Sequence, residues 1–258
     1  MGIPTFLRQT LAVAEADIRK LRHDPWELGS RMVQPMLWLL IFGEVFAHSR
    51  AIPTGSMGYL DFMAPGILAQ SVLFVAIFYG VSIIWERDLG VLQKFLVSPA
   101  ARPALVLGRA LASGVRGLSQ ALIVFVLAIL LGVKLRIGVL PVAGVIVTIV
   151  LGSAIFCTFS LIVACMVKTR ERFMGIGQIM TMPLFFASNA IYPIAMMPDW
   201  LQSIATFNPL TYQVDALRVF MIEGAQSAYG LGVDFGVQLA VLALLTAVAT
   251  NRYPTIVQ

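Results

Sequence analysis

The sequence predicts an all-α membrane protein with six transmembrane helices in a single domain, residues 1–258, and three observations support that prediction. Of the 258 residues, 59% are hydrophobic and only 12% are charged, whereas a soluble domain has roughly 25% charged residues. The apolar runs reach about 20 residues, the length at which a helix crosses a hydrocarbon core about 30 Å thick. They are continuous, whereas the strands of a membrane barrel alternate lipid-facing and lumen-facing residues.

The N-terminal segment, residues 1–28, predicts an amphipathic helix that lies in the plane of the membrane. Leu7, Leu11 and Ile18 recur at helical spacing, while Arg8 and Arg19 fall mostly elsewhere on the helical wheel. The segment is too charged to cross the bilayer and suits the membrane surface. A solvated helix that only leads into the first span explains the same pattern, so both interpretations stay open.

Six apolar runs predict the spans and their orientation. The predicted spans are residues 29–46, 60–84, 111–133, 139–167, 174–192 and 234–250. An even number of spans places both termini on one side of the membrane. With that side in the cytoplasm, fourteen of the 18 Lys and Arg residues fall inside, as the positive-inside rule requires. The basic residues are spread over separate loops without an aromatic stacking set, so nucleic acid is not a predicted partner.

A charged segment, residues 86–99, separates the second and third spans and is the strongest functional signal in the chain. It has an apolar face, charged flanks and a terminal proline, Pro99. We expect it to form a cytoplasmic helix that docks against a partner in water. The residues expected to contact that partner are Glu86, Arg87, Asp88, Leu89, Gly90, Leu92, Lys94 and Phe95.

The segment of residues 195–233 is too apolar for a free loop and too interrupted by Pro, Asn and single charges for a span. Two short helices that dip into the outer leaflet explain it, since irregular backbone at membrane depth must be covered by protein or water. A compact cap on the outer surface explains it equally well.

Four polar residues are candidates for a substrate path. They are Glu44, Asn189, Asn208 and Tyr212. Glu44 is the one acid well inside an apolar run, and intramembrane acids are functional candidates by default. It lies in the last turns of its span, so contact with interfacial water is the alternative. Asn189 lies between Pro183 and Pro193, where kinked helices suit either a pathway or ordinary packing.

The chain contains no signature of an enzyme. A P-loop, a His-Glu-x-x-His pair and a Gly-x-Ser-x-Gly elbow are all missing from the sequence. His23 and His48 fall on opposite sides of the membrane in the predicted topology, so we expect no metal site and no catalytic residue.

Two motifs together carry a family resemblance. The pattern Glu-Arg-x-x-Gly-x-Leu-x-x-x-Leu-x-x-Pro over residues 86–99 resembles the coupling segment of ABC export permeases of the second type. The sequence Asn-Pro-Leu-Thr-Tyr over residues 208–212 resembles the short helices before the last span in that family. The family includes exporters of drugs, antibiotics, lipo-oligosaccharides and polysaccharides, and the resemblance covers nearly the whole chain. Val91 and Gln93 depart from it, because many relatives have Thr and Glu there.

The resemblance implies the permease subunit of an ATP-driven exporter in a bacterial inner membrane. It implies a second permease chain, identical or related, and separate ABC ATPase subunits that hold ATP and Mg, while this chain binds no cofactor. Spans rich in Phe, Met and Leu favour a hydrophobic or amphipathic substrate such as a drug, lipid or glycolipid. An ion-gradient-driven secondary transporter or channel is the first alternative, and a non-transporting membrane scaffold is the second.

Overall fold

The computed structural model describes residues 3–21, 33–49, 52–55, 57–90 and 101–253. This part of the chain is built from α-helices, with a short π-helix over Trp38–Gly43 and a 3₁₀ turn over Ile194–Met196. The α-helices are α1 (Ile3–Leu21), α2 (Val33–Leu37), α3 (Glu44–Ser49), α4 (Tyr59–Tyr79), α5 (Val81–Asp88), α6 (Arg102–Leu130), α7 (Val139–Met166), α8 (Arg170–Phe186), α9 (Asp199–Phe207), α10 (Pro209–Met221) and α11 (Leu231–Arg252).

Four of the described helical segments are long and apolar enough to cross a membrane. They are Tyr59–Asp88, which joins α4 and α5, and Arg102–Leu130, Val139–Met166 and Leu231–Arg252. These segments lie over the second, third, fourth and sixth predicted spans. The described part of the chain is therefore helical, and these four segments point to an integral membrane protein.

The first and fifth predicted spans have a different form. Residues 33–49 form three consecutive pieces, in which the π-helix separates α2 from α3. Helix α8 has 17 residues and ends at Phe186, so it stops before Tyr192, where the predicted span ended. The side-chain amide of Asn208 donates to the carbonyl oxygens of Leu184 and Ala187, at 2.7 and 2.9 Å, and so satisfies acceptors that lack helical partners at the end of α8.

The core of the bundle lies around α4 and α7. In their most apolar windows, 78% and 72% of the residues are buried, against 11% for α11, which lies at the periphery. Helix α4 approaches the turn after α8 closely at Gly66. A side chain at Gly66 would overlap the backbone of Ala190. The turn that follows α8 therefore packs directly against the central helix.

The helices place the connections at two ends of the bundle. At one end, which we call the α10 end, the backbone N–H of Lys134 donates to Asp61 at 3.0 Å and the Tyr59 hydroxyl donates to the Ile191 carbonyl at 3.2 Å. At the other, the α5 end, Tyr253 is fully buried in a small core with Val13 of α1. Helix α1 and the end of α11 therefore lie together.

Helix α1 is amphipathic within the described residues. Thr10, Val13 and Ala14 are buried, while Leu7 and Leu11 are 54% and 60% exposed. Its buried face packs against α6, and its exposed leucines suit a lipid surface. The rest of the predicted segment, residues 22–28, lies outside the described residues, and the in-plane orientation stays a prediction.

Candidate functional site

The first half of the predicted coupling segment forms the end of α5 and not the start of a new helix. Helix α5 ends at Asp88, and Gly90 has a φ of 70°, a conformation that favours glycine. The prediction of a separate helix that begins at Glu86 is therefore wrong at its beginning, because Glu86 lies inside α5 and the backbone turns at 89–90. Leu92, Lys94 and Phe95 lie outside the described residues.

Glu86 is buried and its carboxylate forms an ion pair with Arg109 of α6. The two side chains are 10% and 2% exposed, so this pair lies in the protein interior. Glu86 thus differs from the solvated flank that the sequence suggested, because it shares a helix face with Ile83, which is fully buried against α6. Tyr253, next to the end of α11, is fully buried in the same small core as Ile83, which joins the end of α11 to this region.

Arg87 ties the end of α5 to the connection between α7 and α8. Its guanidinium donates to the carbonyl oxygens of Val167 and Lys168, at 3.2 and 2.6 Å. These carbonyls follow the last turn of α7, where backbone acceptors lack helical partners and a cation is favourable. Arg87 therefore acts as a cap for a neighbouring helix.

Asp88 and Trp85 make a second link, to the first residue of α8. The Arg170 guanidinium donates to Asp88 at 3.0 Å and lies over the Trp85 ring, 3.4 Å from its centroid. A guanidinium that combines a carboxylate partner with an aromatic face is held in one orientation. We call residues Trp85, Glu86, Arg87, Asp88, Arg109 and Arg170 the helix-end cluster.

Leu89 lies at the tip of this cluster and is 70% exposed. Leu89 therefore presents a large apolar side chain at an exposed turn, directly after a set of paired charges that hold the turn in place. Gly90 follows it, and no atom of the described residues lies within 4 Å of the position a side chain there would take. The described part of the segment thus combines an anchored base with an exposed tip.

Two of the candidate substrate-path residues have structural contacts at the α10 end. Asn208 caps α10, because its side-chain oxygen accepts from the Leu210 N–H at 3.0 Å, and its amide also caps α8. The Tyr212 hydroxyl donates to the Thr206 carbonyl at 2.7 Å. Both side chains hold the helices that surround them in place.

The other two candidates differ in exposure. Asn189 is buried, and its carbonyl oxygen accepts from Arg218 at 2.8 Å, while its side-chain oxygen has no hydrogen-bond partner among the described residues. Glu44 begins α3 and its side chain is exposed. The structure therefore groups Asn189, Asn208 and Tyr212 in one region and leaves Glu44 on the surface of the first helical segment.

Sequence reasoning missed Arg109, the buried member of the helix-end cluster, and Arg116, which lies one heptad further along α6. Arg109 and Arg116 are both buried in α6, and the Arg116 guanidinium lies 4.5 Å from the centroid of the Tyr79 ring. Together with Arg102 they are spaced seven residues apart, which places three cations on one face of the helix. That spacing, in a helix that otherwise packs in the core, was the available signal for buried partners of acids on α5.

A large apolar groove lies beside Asn208. Its volume is about 860 Å³, and α7, α8, α9 and α11 contribute its walls. Almost all of the lining is aliphatic or aromatic, with Phe186, Trp200 and Phe207 on its exposed side. The groove can contact apolar molecules, and within the described ranges no three His, Cys, Asp or Glu side chains are grouped to hold a metal ion.

Comparison with known families identifies the type of protein that carries this cluster. The family profile described as ABC-2 type transporter matches residues 8–222, a range that runs from α1 through α10 and contains the helix-end cluster. The chain belongs to the ABC-2 type transporter family. The resemblance noted from the two sequence motifs is thereby confirmed, and the protein is an exporter permease of the ABC-2 type.

Two relatives show the level of similarity within the ABC-2 family. The daunorubicin resistance ABC transporter permease protein DrrB1 of Streptomyces coeruleorubidus is 28% identical over 90% of this chain and 81% of its own length. The protein ycf38 of Cyanophora paradoxa, whose name assigns it to the transport permeases, is 28% identical over 83% of this chain and 74% of its own length. This ABC-2 chain is a transport component, and its relatives include drug-resistance permeases.

Proposed function

We propose that this chain is the six-span permease subunit of an ATP-driven exporter in a bacterial inner membrane. Both termini face the cytoplasm, and a second permease chain, identical or related, completes the pathway. Separate ATPase subunits bind ATP and Mg and dock against the segment that begins at the helix-end cluster. Residues 195–233 form two short helices that enter the outer leaflet.

The helix-end cluster is the observation that supports this proposal. Its paired charges join α5 to α6 and to α8, so a force applied at Leu89 reaches three helices. Close-packed interiors transmit displacements because they hold few voids in which a shift can be absorbed. A partner that binds at the tip can therefore move the helices that the cluster joins.

The apolar groove supports a hydrophobic or amphipathic substrate, such as a drug, lipid or glycolipid. Its lining offers wide apolar contact, and the polar groups of Asn208 and Tyr192 in its wall already hydrogen-bond to backbone carbonyls. A small hydrophilic ion requires several coordinating oxygens, whereas the described lining of the groove is almost entirely apolar. Molecules that partition into the bilayer reach this groove directly.

The docking proposal is tested by one substitution at the tip and a matched control. We expect Leu89→Asp to reduce co-purification of the ATPase at least tenfold, because Leu89 is 70% exposed and its replacement leaves the cluster intact. Ile137→Asp is the control, since Ile137 is 84% exposed at the α10 end of the bundle. Reversal of Glu86 or Arg87 is a poorer test, because both side chains hold the fold together.

The measurement is a mild-detergent pull-down of the tagged full chain from its native membrane, followed by an ATPase assay of the bound fraction. A near-stoichiometric P-loop ATPase with the wild type and with Ile137→Asp, lost with Leu89→Asp at equal expression, supports the proposal. Recovery of the chain alone, with transport that stops when the proton gradient is removed, would replace it with a secondary transporter. Equal loss of the ATPase in both variants would show that Leu89 has no special role.

A further inference from the structure

A second cavity, separate from the helix-end cluster and the apolar groove, lies among α2, α4, α6 and α8. Its volume is about 440 Å³, within the range of roughly 300–1,000 Å³ that small-molecule sites occupy. Its lining includes Gln34, Gln70 and Gln120, which come from three different helices, together with Phe74 and Phe78. Three amides that converge on one cavity are unusual in a bundle this apolar.

Two of these amides are buried without satisfying their hydrogen bonds. Gln70 is 1% exposed and Gln120 is fully buried. The Gln70 Nε2 and both the Oε1 and Nε2 atoms of Gln120 have no hydrogen-bond partner among the described residues. Buried polar groups in proteins are almost always hydrogen-bonded, because desolvation without compensation is unfavourable. Amides kept in this state in the wall of a cavity point to a ligand that supplies the missing bonds.

The position and charge of the cavity define its ligand. Gln70 and Gln120 lie well inside the candidate spans Tyr59–Asp88 and Arg102–Leu130. The described lining residues include no acid and no base, so an ionic head group would be desolvated here without a counter-charge. A side-chain amide offers both donors and an acceptor, which matches hydroxyl and carbonyl groups.

We propose that this cavity binds an uncharged head group rich in hydroxyl or carbonyl oxygens, carried on an apolar or aromatic body. Gln34, Gln70 and Gln120 hydrogen-bond the oxygens, while Phe74 and Phe78 pack against the body. Sugars and polyols attached to hydrophobic groups belong to this class. As a statement about the exported substrate, the inference rests on the proposed function, whereas binding to the permease itself does not require the ATPase.

The test uses the full-length chain in lipid nanodiscs without ATPase and three photoreactive probes with one alkyl chain. The probes carry a glucoside, a trimethylammonium or a sulfate head group, and a diazirine in the chain. We expect the glucoside to label the peptides that contain Phe74, Phe78 or Met174 at least tenfold more than either charged probe. Labelled positions are found by mass spectrometry after proteolysis.

Variants separate recognition by the amides from general apolar contact. Gln70→Leu with Gln120→Leu is expected to remove at least nine-tenths of the glucoside labelling. Gln178→Leu is the control, because Gln178 lies exposed on α8 and outside the cavity lining. If the double variant does not fold, the single variant Gln120→Met, which keeps a similar shape, is expected to show the same loss.

Competition identifies the source of the head group. A glucosyl diacylglycerol placed in the nanodisc tests a membrane lipid, and a naphthyl glucoside added from water tests a soluble compound. Displacement of the label by either supports the proposal and identifies the source.

Two results overturn the proposal. Equal labelling by the three probes would show that the cavity binds the alkyl chain without recognising the head group. A fall in melting temperature in the leucine variants with unchanged labelling would make the amides structural. Either result leaves the ATPase pull-down unaffected, so failure here is distinct from failure of the exporter assignment.

Discussion

At the scale of single residues, the pair formed by Glu86 and Arg109 carries the largest energetic consequence. Both charges are removed from water, and their mutual attraction must offset that desolvation. Such a pair adds little net stability compared with apolar residues of the same size. Removal of one partner, however, leaves an uncompensated buried charge.

We therefore predict an asymmetry between single and double replacement of this pair. Glu86→Leu should lower the free energy of unfolding by about 3–5 kcal/mol, because Arg109 remains buried without its carboxylate. Adding Arg109→Met should restore most of that loss. Thermal unfolding of the purified protein in nanodiscs measures both effects, and Glu171→Leu, at an exposed acid on α8, serves as the control. Additive losses in the double variant would show that the two side chains do not act as a pair.

The sequence indicated the chemistry of the site residues, but it did not predict which of them are buried. The charged segment stood out because acids and bases are rare in this chain, and Leu89 is exposed as an apolar docking residue requires. The burial of Glu86 depends on α6, which is distant in sequence and packs its Arg109 against α5. A local pattern carries no information about that contact, and for the same reason the amide-lined cavity was not predictable from Gln70 alone.

At the scale of elements, the packing of α1 on α6 depends on one missing side chain. A Cβ placed at Gly108 would lie 2.6 Å from the Cβ of Val13 and 2.8 Å from the carbonyl oxygen of Thr10. Real Cβ atoms do not approach other atoms so closely, so α1 must shift if Gly108 is replaced. The amphipathic helix is thus held to the bundle by close backbone approach in addition to its apolar face.

This contact predicts that replacement by alanine has different effects at two helical glycines, Gly108 and Gly175. Gly108→Ala should destabilise the protein by about 1–3 kcal/mol through overpacking and should speed tryptic cleavage at Arg8, which is exposed on α1. Gly175→Ala should leave cleavage and the free energy of unfolding unchanged, or raise the latter, because none of the described residues lies within 4 Å of its added Cβ and alanine favours helix. Equal cleavage rates in the two variants would contradict the packing of α1 on α6.

The long helices were predictable from composition, whereas their interruptions were not. Continuous apolar runs predict α4, α6, α7 and α11 because lipid requires every backbone group to bond within its own helix. Pro103 lies in the first turn of α6, a position that proline favours because the backbone N–H groups there lack helical partners. The early end of α8 depends on capping by Asn208, whose side chain reaches back across the intervening turn and helix α9. The hydrophobic periodicity of the residues in α8 cannot predict such a cap, because the capping residue is distant in sequence.

At the scale of the whole molecule, the two ends of the bundle differ in the charge and in the type of segment that they hold. The α5 end gathers the helix-end cluster, the N-terminal helix and the end of α11, whereas the α10 end holds short helices and the mouth of the apolar groove. Basic residues concentrate in the segments at the α5 end, and the charge rule assigns such segments to the cytoplasm. This division predicts which surface each connection faces in a cell.

We predict that single cysteines at the two ends react from opposite sides of the membrane. Leu89→Cys should be labelled by a membrane-impermeant maleimide only in inverted vesicles, and Ile137→Cys only in intact spheroplasts, because each replaces a side chain exposed at its own end. Cys165→Ala in both backgrounds removes the half-buried native thiol, while Cys157 is fully buried. The cysteine-reduced parent without a new cysteine gives the background signal. Labelling of both positions from the same side would mean that the chain crosses the membrane an even number of times between Leu89 and Ile137. That result would contradict the placement of the helix-end cluster on the ATPase side.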